Sequence, residues 1–193
     1  MSIKHYKKFF SLIIILFVTS TVLFNFSYAN AKSLDIETII SILSTEKGKR
    51  PNPETYLSKS YISNHLRKFN RGVSLVMGLE SYNKYVVPSE TIGRADGCFV
   101  MPRYVCDEIE KKFNGDISVF ETSLSFNVGY FSSQGGLVRI DVFRISDLNL
   151  RMASGNEAGA NSYWLPGGFT MGGIPEAVVD PIPKNRAIIK FYK

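Results

Sequence analysis

The spacing of apolar positions along the chain predicts helices first and strands afterwards. Leu34, Ile36, Ile39, Ile40 and Leu43 recur at helical intervals, with Ser33 or Asp35 placed to cap the start, and predict a first amphipathic helix. A polar, proline-bearing loop over 46–53 follows. Asn52-Pro53 predicts the start of a second helix running to about residue 69, with Tyr56, Leu57, Tyr61, Leu66 and Phe69 along one side. Residues 73–77 predict a strand, 81–87 a polar-aromatic segment ahead of a turn at Pro88, and Asp96-Gly97 a turn into a short apolar strand over 98–101. A helix is expected over 102–114, with Tyr104, Val105 and Ile109 inward and Gly115 as its stop, then a shorter one over 117–125. Residues 137–145, LVRIDVFRI, alternate apolar with charged side chains, the pattern of a strand with one wet face. Residues 174–180 read as a short buried strand and 186–192 as the last one. Helices followed by a mostly antiparallel sheet define an α+β fold.

One stretch breaks this regularity. Residues 154–180, SGNEAGANSYWLPGGFTMGGIPEAVVD, hold six glycines and Trp164, the only tryptophan of the chain. Glycine at this density costs chain entropy on folding and belongs where backbone turns sharply or approaches a ligand. Glu176 stands out because it sits inside an apolar run, where an unpaired carboxylate is costly.

Charge and termini narrow the class. Lys4, Lys7 and Lys8 precede an apolar run over 11–24 and the small residues of Ala29-Asn30-Ala31, the pattern of a secretory signal cut after Ala31. On this reading the chain divides into residues 1–31, a signal peptide; 32–72, an N-terminal helical segment; and 73–193, an α+β domain, in a secreted or periplasmic protein with no membrane attachment after cleavage. The signal carries three lysines and no acid, so 20 basic and 17 acidic side chains remain, a net charge of +3. No dense basic stripe is left of the kind that holds nucleic acid by its phosphates, so no stable nucleic-acid binding is expected. Cys98 and Cys106 form one disulfide or remain two buried thiols, a choice the sequence leaves open. After the signal only His65 remains among histidines, which leaves little material for a His-ligated zinc site, and no metal is expected.

Three groups carry candidate chemistry. Arg94, between Gly93 and the Asp96-Gly97 turn, is a candidate clamp for a phosphate, or else a surface partner of Asp96. Trp164, Tyr163 and Phe99 offer aromatic faces to a flat ring, or serve as core. Glu176 is placed to stabilise the positive charge of a breaking glycosidic bond, or to pair with Arg139 or Arg144. Asn156, Glu157, Asn161, Gly167 and Gly168 lie in the glycine-rich loop and are candidates to orient a substrate or to cap turns.

With these residues in hand, residues 65–180 resemble the C-terminal toxin domains of bacterial polymorphic toxins of the contact-dependent-inhibition and Rhs type. The shared runs are IGRADG-x-FVMP, LVRIDV and LRMASGNEAGAN-x-x-WLPGG-x-x-x-GGIPEAVVD. The layout is loosely similar to NAD glycohydrolases of the tuberculosis-necrotizing-toxin type and to ADP-ribosyltransferases. The resemblance implies an ADP-ribosyltransferase-like fold, NAD as substrate and a cognate immunity protein as partner. It matches Arg94 to the early arginine, Phe99 to the aromatic that follows, and Glu176 to the late polar residue. The chain departs from that pattern in having no serine-threonine-serine strand, Ile174 where the transferases carry a second carboxylate, and no counterpart of the glycohydrolases' histidine. Hydrolysis and transfer therefore both stay open. Two other readings stand beside this one: a toxin nuclease built on Arg139, Asp141 and Glu157 or Glu176, and a non-catalytic secreted binding module. The enzymatic reading expects Arg94 and Glu176 to meet across one pocket.

Overall fold

The computed structural model describes residues 34–193; the signal sequence with its cut after Ala31, and Ser33 as a cap, lie outside the described residues. Helix α1 (Ile36–Ser44) starts at Asp35, whose side chain accepts a hydrogen bond from the Thr38 amide, and it turns Ile42 into the interior. The second helix is shorter than its apolar spacing predicts. A 3-10 turn (Pro53–Thr55) precedes α2 (Lys59–Leu66), and a second 3-10 turn (Arg67–Phe69) follows it. The break falls at Ser58, which takes an extended backbone and caps α2 through Tyr61 N–H, an alternative to helix that serine readily offers.

Strand β1 (Val73–Gly78) runs into the helical turn α3 (Leu79–Ser81) and a π-helical turn (Tyr82–Val86), where only a polar-aromatic segment is legible in sequence. Strand β2 (Thr91–Ile92) precedes β3 (Cys98–Pro102), and helices α4 (Arg103–Glu110), α5 (Ser118–Ser123) and α6 (Tyr130–Ser133) follow. In α4 Ile109 and Cys106 are buried, but Tyr104 points outward, against the inward placement expected for it. The rest is β4 (Leu137–Val142), β5 (Ala177–Val179), β6 (Ile182–Pro183) and β7 (Ile188–Tyr192). The main sheet has the order β5-β3-β1-β4-β7 with every neighbour antiparallel, and β2 pairs with β6 in a separate ribbon. The α+β architecture with a mostly antiparallel sheet is therefore present.

The expected wet face of β4 is not. All six residues of the strand are buried, Arg139 at 0% and Asp141 at 3% exposure. Alternation survives, because Val138, Ile140 and Val142 join one core with Phe69, Ile92 and Ile182, while Leu137 joins the core under α4 and α5 with Phe120 and Phe131. The charged positions share the second face, and helix α4 covers it. There Arg139 donates to Asp141 (2.8 Å), to Glu110 (2.6 Å) and to Asp107, and Ser74, its strand opposite Asp141 in register, donates to that same Asp141. Glu110 also receives Lys190 Nζ (2.9 Å) and the Tyr192 hydroxyl, so the network joins α4 to three strands. Cys98 and Cys106 are free, buried thiols, and burial pushes both up to about 12. No helix of the described residues is long and apolar enough to cross a membrane.

Replacing Arg139 with alanine would leave Asp141 buried without its cation, and the variant is expected to lose about 3–5 kcal/mol in urea unfolding. Asp107→Asn, at a side chain about a third exposed, is expected to lose much less. Equal losses would show that burial of the guanidinium is not the source of the effect.

Candidate functional site

The glycine-rich stretch hangs from the β5 edge of the sheet. Arg151 extends that edge by exchanging backbone hydrogen bonds with Val178, 2.9 Å each way. The chain then leaves the sheet, and it returns where Phe169 bridges Pro175 and the Glu176 amide donates to the Gly168 carbonyl (2.8 Å). Two glycines permit this path. A Cβ on Gly155 would lie 2.5 Å from the Trp164 ring, and one on Gly168 would lie 2.8 Å from His65 Nε2, both on backbone of positive φ.

Inside this loop several sequence candidates hold backbone. Glu157 is buried and accepts from the Ser154 amide and hydroxyl (2.9 and 3.0 Å) and from the Gly155 amide (2.8 Å). Asn156 accepts from the Gly48 and Arg50 amides and donates to the Arg50 carbonyl, and Asn161 accepts from the Tyr163 amide. The Gly167 carbonyl accepts from the Tyr61 hydroxyl (2.8 Å). Trp164 is buried at 4% exposure, with the Arg50 guanidinium 4.9 Å above its ring and its Nε1 without a hydrogen-bond partner. Phe99 is half-buried, its ring packed against Gly159.

Glu176 has a different environment. It is half-buried, and neither Arg139 nor Arg144 pairs with it; Arg139 is taken by Asp107, Glu110 and Asp141. Burial first, and the negative charge of Glu157 second, raise its carboxyl from the ordinary carboxylate range to about 7. Its backbone carbonyl accepts from His65 Nε2 (2.9 Å), which assigns the ring proton to Nε2 and leaves Nδ1 buried without a partner. Burial above all holds His65 down to about 4, with the charge of Lys68 acting in the same direction and the bond to Glu176 against it. Tyr56, its hydroxyl likewise buried and unpartnered, is pushed up to about 12 by burial, then by Glu157 and Tyr61. The loop thus brings Glu157, Glu176, His65, Tyr56 and Trp164 close to one another.

Arg94 is not in it. It lies exposed in the turn before β3, at the Cys98–Val179 end of a three-pair ladder whose Val100–Ala177 end leads to Glu176. It forms no salt bridge with Asp96, which accepts instead from the Ala158 amide. A surface cleft of about 540 Å³ lies along α4 between Arg103 and Lys111, and another of about 380 Å³ lies between α1 and Tyr56; neither of these is lined by Arg94, Phe99, Trp164 or Glu176. Among the described residues no group of three or more His, Cys, Asp or Glu side chains is arranged to hold a metal ion. The nuclease set is split as well, since Arg139 and Asp141 are buried and satisfy each other behind α4. The residues that sequence reasoning missed are Tyr56, Arg50 and Lys47; apart from their general chemistry, nothing local in the sequence links them to a loop about a hundred positions away. No family model matches the chain, and no curated protein matches it.

The two titrating groups act on stability with opposite sign. Glu176, raised from 4.5 to about 7, binds more protons in the folded state, so its contribution is full below 4.5 and is lost as pH rises to about 7. His65, lowered from 6.5 to about 4, does the reverse, and its contribution is lost as pH falls below 6.5 toward 4. Glu176→Gln is therefore expected to gain stability on the parent protein as pH rises from 4.5 to about 7, with a constant difference above that, measured by thermal unfolding at a series of pH values. A difference independent of pH would show that Glu176 titrates normally.

Proposed function

We propose that this chain is a secreted, toxin-like enzyme that breaks the N-glycosidic bond of NAD, by hydrolysis or by ADP-ribosyl transfer, on an ADP-ribosyltransferase-like scaffold. The observation that carries the proposal is the carboxyl pair in the glycine-rich loop. Glu157 is held by three hydrogen bonds while Glu176, without a cation beside it, is tuned to about 7. A carboxyl raised to about 7 is suited to acid–base work at neutral pH. The motif resemblance of residues 65–180 supports the choice of NAD and of a cognate immunity protein as partner.

In this reading ionised Glu176 faces the ribose as the bond from C1′ to the nicotinamide nitrogen breaks. The bonding pair leaves with nicotinamide, which departs neutral, and the carboxylate stabilises the cation left on the sugar. Water, or an acceptor nucleophile, then bonds to C1′ and its proton passes to Glu176, whose surroundings favour the protonated form. Arg94, an exposed guanidinium, is assigned to the pyrophosphate, and Phe99 to the edge of the bound nucleotide.

Glu176→Gln is expected to lower NAD loss by about 100-fold or more, the contribution typical of a positioned acid–base group, with the fold kept. Turnover of the parent protein is expected to rise with pH along a limb centred near 7, measured by nicotinamide release. Undiminished turnover by the glutamine variant would remove the proposal. A second reading, a non-catalytic binding module, is favoured by Tyr163 and Met171, which stand exposed on the same loop. It expects no NAD loss from any form of the chain.

A further inference from the structure

We propose that α1 and the loop after it, residues 34–56, form a cover over the Glu157 side of the glycine-rich loop that must lift before a substrate reaches Glu157 beside Glu176; this rests on the reading of that pair given above. The polar contacts across the seam end on the loop. Lys47 Nζ donates to the carbonyls of Ala158 (3.1 Å) and Ala160 (2.7 Å), and Arg50 donates to the Gly155 carbonyl (2.8 Å) while lying over Trp164. Asn156 closes the seam from the other side, through the Gly48 and Arg50 amides and the Arg50 carbonyl. Beneath these contacts Ile42, Leu43 and Tyr56 pack with Trp164 and Val178.

The way the segment is attached distinguishes a cover from a part of the core. Among the described residues no backbone-to-backbone hydrogen bond joins 34–56 to the sheet or to the glycine-rich loop; the seam consists of side chains reaching backbone. The segment can therefore part from the loop without breaking a strand ladder. Its own helix keeps its hydrogen bonds when it moves, and Ile36 and Ile40 on its outer face are already exposed. Closure also leaves polar atoms stranded. Tyr56 Oη and Trp164 Nε1, one from the segment and one from the loop, are buried with no partner, as is His65 Nδ1 nearby. An unsatisfied buried donor or acceptor is unfavourable, and opening hydrates those at the seam, so the closed form carries a built-in bias towards release. The seam holds no ion pair that salt would screen; its charged donors meet carbonyl oxygens.

Trp164, the only tryptophan, reports the position of the cover. In the full chain, Lys47→Ala and Arg50→Ala, singly and together, are expected to raise acrylamide quenching of Trp164 severalfold while circular dichroism stays unchanged. NAD turnover is expected to rise about tenfold in the double variant, as when an open fraction goes from about 1% to about 10%. Unchanged quenching in a folded double variant overturns the cover, and so does raised quenching with unchanged turnover in a protein that consumes NAD. Should the double variant fail to fold, Lys47→Ala, a change at an exposed side chain, decides by the same comparison. Absence of NAD loss from the parent and from every variant overturns the enzymatic reading instead, and quenching alone then decides whether residues 34–56 shield the loop.

Discussion

A guanidinium with no exposure to solvent, on an interior strand of the sheet, is the constraint on which the rest of this structure turns. Arg139 could not lie there unpaired, since an isolated buried charge costs more than a small domain's whole stability margin allows. Asp141 on its own strand, with Asp107 and Glu110 from α4, surrounds it, and Lys190 and Tyr192 extend the network to β7. The helix is thereby held over one face of the sheet in a fixed register, because a planar fork of donors accepts carboxylates only along set directions. With α4 and α5 on that face and the Phe69, Ile92 and Ile182 core on the other, both faces of β4 are closed. The glycine-rich stretch is left to the β5 edge.

At that edge lie two carboxyls with different partners. Glu157 accepts from two amides and a hydroxyl, and burial and the charge of Glu157 raise the carboxyl of Glu176. Neither is part of the Arg139 network, which is separate from this pair. The same loop carries the seam with residues 34–56, which ties it to the packing of α1. Arg94 stands apart at the far end of the β3–β5 ladder from Glu176.

By itself the sequence determined the local elements and the singular stretch. Asp35 as a cap, the helical spacing of Ile36, Ile39, Ile40 and Leu43, the apolar run of β3 and the alternation of β4 all act through neighbours a few positions away, where intrinsic preferences decide. The same reasoning marked Glu176 as a carboxylate in the wrong company, and the structure leaves it without the arginine that would have explained it. Tertiary structure alone decided what the charged positions of β4 face. A period of two says that Arg139 and Asp141 share a side, not whether water or α4 lies there, and only the three-dimensional arrangement supplied Glu110 and Asp107. It alone decided, too, that Asn156 and Trp164 meet Arg50 and that His65 meets Glu176, contacts between positions about a hundred apart. Such pairings leave no periodicity in the chain, because they depend on where the sheet order brings distant segments together and not on the preferences of the residues that touch.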